Sequence, residues 1–125
     1  MISGTGIDLV EKERIANSIR RFGDRFTSRI LTPKEQAECE SKGDRIGSIA
    51  ARFAAKEALF KAVGTGWAKG VGWQDVEVLT DPTGKPVVHV HGEVAALVQG
   101  HRIHLSISHE RHLSIAFVII EKIGE

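Results

Sequence analysis

Glu57 and Lys61 put a carboxylate and an ammonium four residues apart, so on a helix they share one face. The run around them, Arg52-Phe53-Ala54-Ala55-Lys56-Glu57-Ala58-Leu59-Phe60-Lys61-Ala62-Val63, is rich in helix formers, and Gly64-Thr65-Gly66 supplies a stop. At about 100° per residue the same face carries Ala50, Phe53 and Ala54, so it is not a plainly solvated one. Two chemistries fit: an ordinary helix ion pair, or a metal ligand beside a phosphate contact. Asp8 poses a related question. It sits between Ile7 and Leu9 in an apolar strand and faces away from them, where an aspartate is disfavoured unless paired. Either it caps the next helix from the strand end, or something pairs with it there, as a metal ion would.

Two further groups could bind rather than react. Arg14, Arg21, Arg25 and Arg29 fall within one arc of a helical wheel, with Ser18 among them and Glu11, Glu13 and Asp24 elsewhere. Such a strip is either a solvated face or a docking face; four arginines and no lysine favour forked recognition of carboxylate or phosphate. Near the end of the chain, His104, Ser106 and Ser108 alternate strictly with Ile103, Leu105 and Ile107. That polar row suits a ligand wall or a solvent-washed sheet face, and His104 alone reads as a structural histidine.

The elements that must hold these groups are legible in outline. Ile2 to Val10 forms a strand whose Gly4 and Gly6 mark close approach by another backbone or a ligand. Glu11 to about Ile30 is helical, interrupted near Gly23, with Ile15, Ile19, Phe22, Phe26 and Ile30 facing the core. Thr32-Pro33-Lys34-Glu35 starts a helix that runs to about Ser41. The long central helix follows, with Ile46, Ile49, Phe53 and Phe60 inward and Ala50, Ala51, Ala54, Ala55 and Ala58 giving a smooth packing side. Trp67 to Trp73 is a glycine-rich loop; it follows a helix and is therefore no P-loop. Val76 and Val78 mark a strand, Asp81-Pro82-Thr83-Gly84 a turn, and Pro86 to His91 the returning strand. A short helix from Glu93 to Gln99 ends at Gly100, and Leu113 to Ile120 pairs antiparallel with the strand of His104.

Bulk properties narrow the classes. A chain of 125 residues, 42% hydrophobic and 26% charged, suggests one globular domain spanning residues 1–125. No window reaches the roughly 18 apolar residues of a membrane span, and Met1 to Val10 lacks the basic start of a signal peptide. A net charge of +1 supplies no global field for nucleic acid or membrane, so any acidic partner meets a local patch. Cys39, the single cysteine, fits a reducing, cytoplasmic setting.

Three separated pieces now align. Gly4-Thr5-Gly6-Ile7-Asp8-Leu9-Val10, the run from Arg52 to Ala58 with Lys61, and His104-Leu105-Ser106-Ile107-Ser108-His109 together resemble the 4'-phosphopantetheinyl transferases, in the short single-domain bacterial form. The resemblance implies an α+β fold, with the long central helix on an antiparallel sheet, assembled as a homotrimer with coenzyme A between subunits. It implies transfer of phosphopantetheine from coenzyme A to a serine of apo-acyl carrier protein, for fatty acid or polyketide assembly. Asp8 and Glu57 match the Mg²⁺ ligands and Lys61 the lysine beside the pyrophosphate. Arg52, Gly64, Thr65, Gly66, Lys85, Pro86, His104 and Ser106 match stretches around coenzyme A. The arginine helix, through Arg14, Arg21 and Arg25, matches the surface that receives the carrier.

Such a transfer asks a protein for positioning and charge stabilisation rather than covalent chemistry. Two hard carboxylates on rigid elements suit Mg²⁺, which usually keeps several waters. The serine proton goes to a water held by the metal or to Glu57 through water, with His104 in reserve. Two rivals stay open: an Mg²⁺-dependent nucleotide pyrophosphate hydrolase, and a non-catalytic module that binds carrier proteins.

Overall fold

The computed structural model describes residues 1–64 and 71–124. In chain order the elements are β1 (Ile2–Glu11), α1 (Lys12–Phe22), α2 (Asp24–Ile30), α3 (Pro33–Ser41) and α4 (Arg45–Val63). A short 3-10 turn (Trp73–Asp75) leads into β2 (Val76–Thr80), β3 (Pro86–Val90), α5 (Gly92–Leu97), β4 (His101–His109) and β5 (Leu113–Lys122). One antiparallel sheet has the order β1-β5-β4, and β2 with β3 forms a separate hairpin. The α+β expectation holds, with α4 lying across β1 and β5.

Local chemistry explains the boundaries. Thr32 and Glu35 form a capping box: Thr32 Oγ1 accepts from Glu35 N at 3.2 Å, and Glu35 Oε1 accepts from Thr32 N at 2.9 Å. Asp44 caps α4 through Gly47 N at 2.9 Å, and Gly64 closes it in the left-handed region at φ 78°. Gly23, at φ 56°, separates α1 from α2 as the sequence suggests. Phe22 departs from expectation. It is 43% exposed rather than core-facing, because it is the last residue of α1 beside that break. Its ring lies instead near the guanidinium groups of Arg21 and Arg25, 5.3 and 5.8 Å from its centroid.

The alanine side of α4 is what lets helix and sheet meet closely. Ala50, Ala54, Ala55 and Ala58 are buried, and so are Ala116, Val118 and Ile120 of β5. Gly4 and Gly6 complete the fit: a Cβ on Gly4 would overlap the carbonyl of Ala62, and one on Gly6 that of Ala58. Their role is close approach of another backbone. Gly6→Ala must therefore push helix and strand apart, and is expected to cost at least about 2 kcal/mol by denaturant unfolding. Gly43→Ala, where a Cβ meets nothing within 4 Å, is the control and should be close to neutral.

This packing turns β1 over relative to ordinary practice. Gly6 and Val10 are buried against the helix and Asp8 lies on their side, while Ile7 and Leu9 point outward at 59% and 54% exposed. Across the sheet, Ile7 sits opposite Phe117 and Leu9 opposite Ile115, themselves 40% and 37% exposed. The outer face of the sheet is thus an apolar patch bordered by the row of Ser106 and Ser108.

Candidate active site

Asp8 is placed by the two glycines before it. Gly4 lies under Ala62 and Gly6 under Ala58, so the next inward residue of β1 falls beside the turn of α4 that bears Glu57. Two strand residues advance about 7 Å and four helix residues about 6 Å, so the elements stay in step. The Asp8 side chain is only 14% exposed, and Lys61 Nζ donates to its Oδ1 at 3.1 Å and to Ile7 O at 3.0 Å. Burial raises the Glu57 carboxyl above the usual glutamate range, and the charge of Asp8 adds to that rise. Lys61 and Arg14 pull it partly back. Asp8, far from Glu57 and Lys61 in sequence, thus forms one electrostatic unit with them. The Lys61 ammonium bonds to the strand aspartate, a partner the helix spacing alone does not offer.

The arginine strip borders this unit. Arg14 lies over the Phe53 ring, 5.8 Å from its centroid, and with Ser18, Arg21 and Phe22 it lines a surface cavity of about 380 Å³. Glu11 and Glu13 line the same cavity, so the strip is less purely basic than its wheel suggests.

The other expected contacts gather elsewhere. Arg52, Lys85, Pro86 and Ser106 line a cavity of about 480 Å³ between α4, the β2–β3 hairpin and β4. Lys85 and Pro86 also border an adjoining cavity of about 370 Å³ that His104 lines. Arg52 is nearly buried: its guanidinium donates to Val78 O at 3.0 Å, Ser48 O at 3.2 Å and Glu38 Oε1 at 2.6 Å. His104 Nε2 lies 2.9 Å from Glu121 Oε1, a contact that holds the Glu121 carboxyl below its usual range. Gly64 belongs with the first group, one turn past Lys61; Thr65 and Gly66 lie outside the described residues, as does most of the glycine-rich loop. Among the described residues, Asp8, Glu57 and Lys61 line neither of these two cavities. Asp8 faces α4 from one edge strand of the sheet, whereas His104 and Ser106 face outward from the other.

A family model described as the 4'-phosphopantetheinyl transferase superfamily matches residues 4–118. The chain belongs to that superfamily. The holo-[acyl-carrier-protein] synthase of Koribacter versatilis is 53% identical over 124 residues, covering 97% of this chain and 99% of its own. Among solved structures, the Neisseria meningitidis synthase superposes with a TM-score of 0.88 at 40% identity, over 98% of this chain and all of that one. The Bacillus anthracis synthase, solved in complex with CoA (3',5'-ADP), gives 0.83 at 42% identity, over 98% and 99% of the two chains. The transferase fold is therefore that of the whole chain.

Two lysines of this transferase escape a reading of its sequence. Lys56, inside the superfamily-like motif, is completely buried. Its ammonium donates to Ile30 O at 2.7 Å, Glu35 Oε1 at 2.7 Å and Trp73 O at 3.1 Å. Burial draws its pKa below the usual lysine value, against the opposing pull of Glu35. The signal was its position: Lys56 continues the inward stripe of Ile49, Phe53 and Phe60 at helical spacing. Lys42, in the turn before α4, lines the 480 Å³ cavity with Arg52 and Lys85, and no local motif marks it.

Proposed function

We propose that this chain transfers the 4'-phosphopantetheine group of coenzyme A to a serine hydroxyl of apo-acyl carrier protein. Its chief support is the convergence of Asp8, Glu57 and Lys61 in a superfamily member whose relatives over full length are holo-[acyl-carrier-protein] synthases. The Bacillus anthracis relative, solved with CoA (3',5'-ADP), supports coenzyme A as donor.

In this reaction the serine oxygen forms a bond to the phosphorus nearer the pantetheine. The bond from that phosphorus to the bridging oxygen breaks, and adenosine 3',5'-bisphosphate leaves. Asp8 and Glu57 fit an Mg²⁺ ion: two hard oxygen donors, mutually repelling, on a rigid strand and helix. Among the described residues no cluster of three or more His, Cys, Asp or Glu side chains could hold a metal, so these two carboxylates would be the side chains that hold it. When bound, Mg²⁺ neutralises the charge of the diphosphate and of the transition state. The half-exposed Lys61 ammonium turns from Asp8 to the phosphoryl oxygens and steadies the departing bisphosphate. Glu57, with its raised carboxyl pKa, takes the serine proton through water.

The adenosine end of coenzyme A occupies the cavity of Arg52, Lys85, Pro86 and Ser106, with Lys42 as a further cation and His104 next door. Because these groups and the carboxylates lie apart on one chain, the complete cleft forms between two copies. The outward apolar patch of Ile7, Leu9, Ile115 and Phe117 supports such assembly, as a homotrimer. No helix among the described residues is long and apolar enough to cross a membrane, and the lone buried Cys39 suits the reducing cytoplasm.

Arg14, Arg21 and Arg25 receive the carrier, whose modified serine sits among acidic residues. Reversal of Arg14 and Arg21 to Glu is expected to raise the KM for carrier at least tenfold, roughly the effect of losing charge-steered contacts, and that for coenzyme A less than twofold. Equal effects on both would remove the docking role. The reaction class is tested by mass spectrometry of apo-carrier incubated with this protein, coenzyme A and Mg²⁺. The carrier should gain one phosphopantetheine. Cleavage of coenzyme A with no carrier present would point to a hydrolase, and an unmodified carrier with intact coenzyme A to a binding module.

A further inference from the structure

Arg14 differs from its neighbours on α1 in what it rests on. Arg21, joined by Arg25 of α2, lies against Phe22, an exposed ring at the end of α1. Arg14 lies over Phe53 of α4, one helical turn before Glu57, and its charge is felt by that carboxylate. Phe53 is in turn held. Trp73 stacks on it at 5.1 Å between centroids with 28° between planes, and Phe60 meets Trp73 edge-on at 5.6 Å. The backbone of Trp73 is fixed through its carbonyl, which accepts from the buried Lys56 ammonium. Lys56, Trp73, Phe53 and Arg14 thus run as a continuous series from the core to the surface beside the carboxylates.

An exposed arginine loses considerable rotamer entropy when it binds, and a ring beneath its planar guanidinium reduces that loss by holding it beforehand. We propose that Phe53, braced by Trp73, is a positioning residue that holds Arg14 between the docking helix and the reacting centre, ready for the carrier. The proposal rests on the carrier-docking role of Arg14. It assigns Phe53 no contact with coenzyme A and no part in the chemistry.

The test is a double-variant cycle on steady-state KM for the carrier. Phe53→Leu keeps bulk and loses the π face; it should raise the carrier KM about threefold and leave the KM for coenzyme A unchanged. Phe53→Tyr, which keeps the ring, should match the parent. In an Arg14→Gln background, Phe53→Leu should add nothing. Arg14→Lys, a surface change with no bearing on folding, should raise the carrier KM severalfold although the charge is kept. A Phe53→Leu effect of full size in the Arg14→Gln background would overturn the proposal, as would an Arg14→Lys variant equal to the parent. An unchanged carrier KM in Arg14→Gln itself would remove the docking role, and the positioning role with it.

Discussion

Glu57→Gln is expected to lower kcat/KM for phosphopantetheine transfer by at least about a thousandfold, the scale of losing a main charge-stabilising group. The substitution keeps shape and removes both the proposed oxygen ligand and the proposed proton acceptor. Its stability should move the other way. Burial and Asp8 hold the folded-state carboxyl above the ordinary glutamate value, so the folded chain binds that proton more tightly than the unfolded chain. The ionised group therefore costs nothing at pH below the ordinary value and destabilises progressively as pH rises through the window up to the raised one. At pH 7 without divalent ions, Glu57→Gln should melt no lower than the parent. A variant that is inactive because it is unfolded would melt lower, so calorimetry beside the kinetics separates loss of chemistry from loss of structure.

The largest effect on stability is expected at Lys56. Lys56→Ala leaves the buried Glu35 carboxylate and the carbonyls of Ile30 and Trp73 without their shared donor. Breaking a buried pair from one side costs about 3–5 kcal/mol, a large share of the 5–15 kcal/mol that holds a domain together. Glu35 deepens the loss, since its Oε1 also accepts from Thr32 N and its Oε2 from Val78 N, tying α3 to β2. Urea unfolding should show the drop as a lower midpoint at similar slope. Combining Lys56→Ala with Glu35→Ala should cost less than the sum of the two single changes, because each single change strands the other's charge.

Much of this molecule can be read from its residues because the signals are local. Thr32-Pro33-Lys34-Glu35 announces a helix start through its own side chains, and the structure has the capping box there. The alternation from Ile103 to His109 gives β4 and its two faces, and Gly23 gives the break between α1 and α2. The glycines of β1 signal close approach, yet only the three-dimensional packing tells which backbone approaches. Asp8 shows the same limit. Its need for a partner is visible in the strand, but the partner, Lys61, lies 53 residues away. Phe22 and Lys56 are each other's converse. Helical periodicity puts both on an inward arc; a glycine break frees the ring, and a buried carboxylate from another helix admits the ammonium. The separation of the proposed coenzyme A contacts from the carboxylates is a matter of sheet order and facing, which no spacing along the chain encodes.

In the proposed reaction Asp8 and Glu57 together hold one divalent cation against the diphosphate of coenzyme A. This is tested most directly by titrating Mn²⁺, as a paramagnetic stand-in for Mg²⁺, into protein saturated with coenzyme A and following free Mn²⁺ by EPR. The parent should take up one ion per chain, and Asp8→Asn and Glu57→Gln should each bind it at least about tenfold more weakly. Equal uptake and affinity in all three proteins would mean that these two carboxylates do not hold the ion.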